Sequence, residues 1–117
     1  MMTPRRFPFQ FLVLFTLLFV AVPLFGSSKK DNEKAGAVLF RDKGCGYCHG
    51  AAGLGTGKGP SLANLRKKLK APQTIDQIEN GGQKMPSFRD SLTDDEVAKL
   101  VSYLRAKHRP VPPPAQP

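Results

Sequence analysis

The chain has 117 residues, 40% of them hydrophobic, with two cysteines and no tryptophan. That length allows one domain, and too few cysteines are present for a disulfide framework. A formal charge of +9 favours acidic partners or anionic surfaces, whereas the aromatics are not interleaved with the cations as a nucleic-acid groove requires, so nucleic acid is not an expected partner.

Residues 1–28 read as an export segment. Arg5 and Arg6 form a basic end, Phe7–Phe25 is apolar apart from Gln10, Thr16 and two prolines, and Gly26-Ser27-Ser28 supplies small residues. Its 19 apolar-rich residues are long for a cleaved signal and close to the roughly 20 that an N-terminal membrane anchor needs, and no clean A-x-A site is present. Both readings stand, and both put the remainder outside the cytoplasm. Pro8 and Gln10 fit a twin-arginine signal poorly. Without Arg5 and Arg6 the rest carries +7. A domain of this size is marginal without a staple, metal or cofactor filling its core.

Ser28–Glu33 is polar and reads as a linker. A first helix is expected over roughly Glu33 to Asp42, with Gly36, Leu39 and Phe40 on one face and Gly44 as its stop. Gly50 to Gly59 carries five glycines and reads as a flexible loop that lets the backbone pass close to something bulky. Gly57-Lys58 does not make a phosphate-binding loop: Gly59 stands where Ser or Thr is needed, and Ala52 where a glycine is needed.

Pro60-Ser61 is expected to open a short helix bearing Leu62, Leu65 and Leu69, with Arg66, Lys67, Lys68 and Lys70 mostly on its other side. Thr74 is expected to cap another, with Ile75 and Ile78 inward and Gly81-Gly82 at its end. Thr93-Asp94-Asp95-Glu96 is a capping box before Val97, Leu100, Val101 and Leu104. Residues 110–117, rich in proline, read as an extended tail after a domain spanning 29–109. No alternating pattern or repeat occurs, so the expected fold class is all-α.

Cys45-Gly46-Tyr47-Cys48-His49 is the Cys-x-x-Cys-His signal for covalent haem attachment. Two thiols three residues apart add to the two vinyl groups of one haem, and the adjoining histidine binds the iron. A disulfide, a thioredoxin-type site and a zinc site compete with this. The second needs a βαβ context, and the third needs another ligand pair where only His108 is left. Met or His is the usual second axial ligand. Met85, the one methionine after the export segment, sits in a glycine-proline loop rather than on an apolar stripe, which favours it over His108.

In these elements the sequence resembles the class I c-type cytochromes, the small monohaem bacterial proteins. The resemblance runs from about Lys34 to Lys107 and rests on Gly36-x-x-x-Phe40, Cys45-Gly-Tyr-Cys48-His49-Gly50, Gly59-Pro60-x-Leu62, Met85-Pro86 and Leu100-x-x-Tyr103. It implies a compact cytochrome c fold of three to five helices around one haem c. In it the first and last helices cross, Gly36 allows close approach, and Phe40 packs near Leu100 and Tyr103. It also implies that the Pro60 carbonyl accepts a hydrogen bond from His49, which orients a metal ligand. A short segment between His49 and Met85 places the chain with the compact bacterial types.

The expected function is single-electron transfer between redox partners such as a dehydrogenase or terminal oxidase, not enzymatic catalysis. Docking would run through Lys43, Lys58, Lys84 and the Arg66–Lys70 run. A haem sensor with a labile sixth site, or a dedicated subunit of a larger oxidoreductase, are the other readings. No nucleophile sits beside a base, so hydrolase or transferase chemistry is not expected.

Overall fold

A computed structural model describes residues 26–115, so the apolar segment 7–25 and its proposed signal or anchor role lie outside the described residues. Five helices follow in order: α1 (Lys29–Asp42), α2 (Cys45–His49), α3 (Leu65–Lys68), α4 (Ala71–Asn80) and α5 (Asp94–Leu104). There is no strand among the described residues, and the all-α expectation holds. No described helix is long and apolar enough to cross a membrane.

Helix α1 starts four residues before its expected beginning. Ser28 accepts a hydrogen bond from the Asp31 backbone N–H, while the Asp31 carboxylate accepts from the Ser28 N–H, closing a capping box inside the stretch read as a linker. The Ser28 hydroxyl also donates to the Asp31 carboxylate at 2.7 Å, and this bond with that from the Ser28 N–H holds the Asp31 carboxyl below the usual carboxylate range. Gly44 ends the helical run as expected, in the left-handed conformation at φ 75°.

The α1–α5 crossing forms the base of the molecule. Gly36, Ala37 and Phe40 of α1 are buried against α5, whose Val97, Leu100, Val101, Tyr103 and Leu104 face inward. The Phe40 and Tyr103 rings meet with centroids 5.4 Å apart and planes tilted by 56°, a favoured aromatic geometry. Thr93 caps α5 as expected: its hydroxyl accepts from the Glu96 N–H, and the Glu96 carboxylate accepts from the Thr93 N–H at 2.9 Å.

Two further expectations are corrected. The helix after Pro60 is confined to Leu65–Lys68, because Asn64 adopts a left-handed φ of 56° and breaks the run from Ser61. Thr74 does not cap α4; it lies one turn inside, buried, with its hydroxyl donating to the Lys70 carbonyl at 3.1 Å. Lys70 is the cap and Pro72 falls in the first turn, where its missing N–H costs nothing. Gly81 ends α4 at φ 71°.

Past α5 the chain reverses no further into helix. His108 is exposed, and Nη1 of Arg41 donates to the Pro113 and Pro114 carbonyls, both at 2.7 Å, laying the extended tail against α1.

Candidate haem site

The helices do not close on one another at the centre; they enclose an apolar cavity of about 610 Å³. Phe40, Leu62, Leu65, Ile78, Leu100 and Leu104 make much of its wall, and Cys45, His49, Pro60 and Met85 line it too. A volume of this size lies within the roughly 300–1,000 Å³ typical of cofactor pockets.

Each candidate ligand arrives by a local mechanism. Helix α2 is a single turn bounded by two glycines with positive φ, Gly44 at 75° and Gly50 at 83°, which places Cys45, Cys48 and His49 on one short rigid segment. The glycine loop beyond it is not free, as the flexible reading held. It folds back to satisfy the last carbonyls of α2: the Gly55 N–H donates to His49 O at 2.7 Å, and the Thr56 hydroxyl donates to Cys48 O at 2.5 Å. Gly59 passes so close that an added Cβ would stand 2.9 Å from the Cys48 carbonyl oxygen.

This return delivers Pro60 to the histidine. Nδ1 of His49 and the Pro60 carbonyl oxygen are 2.8 Å apart. A carbonyl can only accept, so Nδ1 carries the proton and donates, leaving Nε2 with a free lone pair. Burial pushes the Cys45 thiol above its ordinary range, in keeping with its apolar wall position. Cys48 is half-buried and does not line the cavity.

Met85 is half-buried and packs against the core. The turn that carries it is closed by the Gly82 N–H donating to Met85 O at 2.9 Å, and a Cβ on Gly81 would overlap that same oxygen. Gln77 of α4 was not singled out by the sequence. Its side-chain amide donates to Met85 Sδ at 3.7 Å. Phe88 and Leu92 also line the cavity without having carried a sequence signal. His108 does not line it. A thiol, an imidazole with a free Nε2 and a thioether, set in an apolar hollow of cofactor size, are a donor set suited to haem iron.

Residues 31–104 match the family described as "Cytochrome C oxidase, cbb3-type, subunit III". The chain belongs to this family. It is a small class I c-type cytochrome that binds haem c covalently and serves as an electron carrier.

Among its relatives, this cytochrome is 27% identical to cytochrome c-555 of Methylococcus capsulatus over 89 residues, covering 75% of this chain and 72% of that one. It is 36% identical over 84 residues to dihydro-heme d1 dehydrogenase of Pseudomonas aeruginosa, covering 69% of this chain but 17% of that protein. The crystal structure of the c-type cytochrome XoxG from Methylobacterium extorquens AM1 superposes with a TM-score of 0.60 at 26% identity, covering 70% of this chain and 57% of that one. The cytochrome thus spans little more than half of XoxG and about a sixth of the dehydrogenase.

Of the lysines expected near the site, the cavity wall includes Lys68 and Lys84. Lys43 is engaged elsewhere, 3.4 Å from the Glu96 carboxylate. Lys58 lies over the exposed ring of Tyr47, 3.5 Å from its centroid.

Proposed function

We propose that this cytochrome carries single electrons outside the cytoplasm, between a dehydrogenase-type donor and an oxidase-type acceptor, with His49 and Met85 as its axial ligands. The observation that supports this most is that Cys45, His49, Pro60 and Met85 line one apolar cavity. Haem iron held there supplies one-electron chemistry between ferric and ferrous states.

The chain's residues have the following parts. Cys45 and Cys48 tether the macrocycle through thioether bonds. The Pro60 carbonyl fixes the His49 tautomer and ring orientation, so that Nε2 is kept for the metal. The Gly81-Gly82 turn holds Met85, whose thioether favours the ferrous state and raises the potential. Leucine and isoleucine walls exclude water, so little rearranges when charge moves. Lys68 and Lys84 offer positive charge at the cavity to steer an acidic partner. On this reading 29–109 is the cytochrome domain, 110–117 a tail and 1–28 the export signal or anchor.

Visible and near-infrared spectra of the oxidised protein test the ligand set. A sulfur-to-iron band present in the wild type and absent in Met85→Ala is the expected result. A wild type without that band would move the assignment to His108 or to a labile sixth site, as in a haem sensor.

A further inference from the structure

A second cavity, of about 420 Å³, lies on the back of the haem wall and shares no lining residue with the first. Its lining is Lys29, Arg66, Ala71, Val101, Ser102 and Arg105. Three cations from three segments of the chain meet there, and no carboxylate lines it. Ion pairs among the described residues join Arg41 to Asp42, Lys43 to Glu96, Arg89 to Glu79 and Lys99 to Asp95, so none of these three cations is compensated by a carboxylate.

Solvent screens the repulsion among three like charges around an open hollow, but together they make it a place where an anion is attracted. Arg105 does offset the negative end of the α5 dipole, and its guanidinium donates to the Leu69 carbonyl, which fixes its place. No such explanation covers Lys29 and Arg66, which are exposed and make no side-chain hydrogen bond among the described residues. Ala71 opens α4, so that helix adds its positive end to the same hollow. Ser102 adds a hydroxyl donor. Two guanidinium forks, an ammonium and a hydroxyl match the several acceptor oxygens of a phosphate group.

We propose that this hollow binds a phosphate group. Its volume leaves room beside the phosphate for the organic part of an ester. Lys29 stands four residues after Phe25, the end of the apolar segment, so a fully extended connection spans no more than about 14 Å. On the reading of 7–25 as a retained membrane anchor, that proximity makes the headgroup of an anionic phospholipid the favoured source over a soluble phosphate.

The test uses the purified haem-loaded protein, as Arg66→Glu, Lys29→Glu and, for control, Lys58→Glu, each checked for an unchanged haem spectrum. Binding to phosphatidylglycerol vesicles and to neutral phosphatidylcholine vesicles is measured by co-sedimentation at fixed ionic strength. Inorganic phosphate is titrated in parallel by calorimetry. The expected result is binding to the anionic vesicles weakened roughly three- to ten-fold by Arg66→Glu or Lys29→Glu and unchanged by Lys58→Glu. Saturable phosphate binding lost in the same two variants, with vesicle binding unaltered, would keep the site but make its source soluble. If Arg66→Glu and Lys29→Glu behave like Lys58→Glu in both assays, the proposal is overturned.

Discussion

Gly36 and Tyr103 stand so close that a methyl group added to Gly36 would come within 2.6 Å of the Tyr103 Cβ and overlap the Lys99 carbonyl oxygen. The α1–α5 crossing is therefore set by the absence of a side chain at this position. The backbone oxygen cannot yield as a flexible side chain could. Gly36→Ala should force the two helices apart at a cost of about 1–3 kcal/mol, as for other overpacked cores. For a domain this small that corresponds to a fall in Tm on the order of 10 °C, read by circular dichroism of the haem-loaded protein. An unchanged Tm would mean that the helices do not approach as described.

Gln77 offers a way to change the proposed Met85 ligand without removing it. Its amide, 3.7 Å from Sδ, draws electron density from the sulfur and makes the thioether a weaker donor to ferric iron. Given the His49/Met85 ligand set, Gln77→Leu should lower the midpoint potential by about 20–40 mV, the equivalent of one weak hydrogen bond for a one-electron couple. The sulfur-to-iron band should persist. Loss of the band together with the potential would show that Gln77 holds the loop instead of tuning the ligand.

Acid should weaken the fold through its two capping boxes. The Thr93 backbone N–H, with Lys43 nearby, holds the Glu96 carboxyl below its ordinary range, and Ser28 does the same to Asp31. A depressed carboxylate contributes stability above its unfolded value, and that contribution is lost as pH falls through its folded value. Tm should thus drop as pH is lowered from 7 to about 3, where carboxylates take up protons. Glu96→Gln should lower Tm at neutral pH and flatten the acid slope relative to wild type. Because Asp31 and Asp42, the other lowered carboxyls, are shared by both proteins, their difference isolates the Thr93–Glu96 cap. At the alkaline end, burial raises the Tyr103 phenol, so stability should decline again as pH climbs past about 10.

What could be read in advance was local. The Thr93–Glu96 box and Cys45–His49 depend on residues within three or four positions of each other; the structure keeps the box as read, and sets Cys45 and His49 on one helical turn that the motif did not announce. The α1 start was missed because Asp31 takes the role that Glu or Gln usually fills, which made Ser28–Asp31 look like a linker. Thr74 looked like a cap because its type suits one, but burial against the cavity outweighed that preference. Gln77, Phe88 and Leu92 were illegible for a different reason: nothing near them in sequence says that they will meet Met85 around one hollow. The Lys43 pairing with Glu96 was hidden likewise, since 53 positions separate the two.

That pairing sets Lys43 apart from the other lysines expected near the site. Lys43 is paired with Glu96, whereas Lys68 and Lys84 line the proposed haem cavity, are exposed and pair with no carboxylate among the described residues. If charge at the cavity steers redox partners, its reversal should matter at Lys68 and Lys84 and hardly at Lys43 beyond its effect on stability. With ferricyanide as an anionic oxidant at low salt, Lys84→Glu and Lys68→Glu should each slow oxidation of the reduced cytochrome about three- to ten-fold. A cationic cobalt complex should show the opposite trend. Both effects should shrink as ionic strength shortens the screening length to about 8 Å near 0.15 M. Stopped-flow rates across a salt series decide it. Rates of Lys84→Glu and Lys68→Glu equal to wild type with each reagent at every salt concentration would show that electrons leave by a face these lysines do not control.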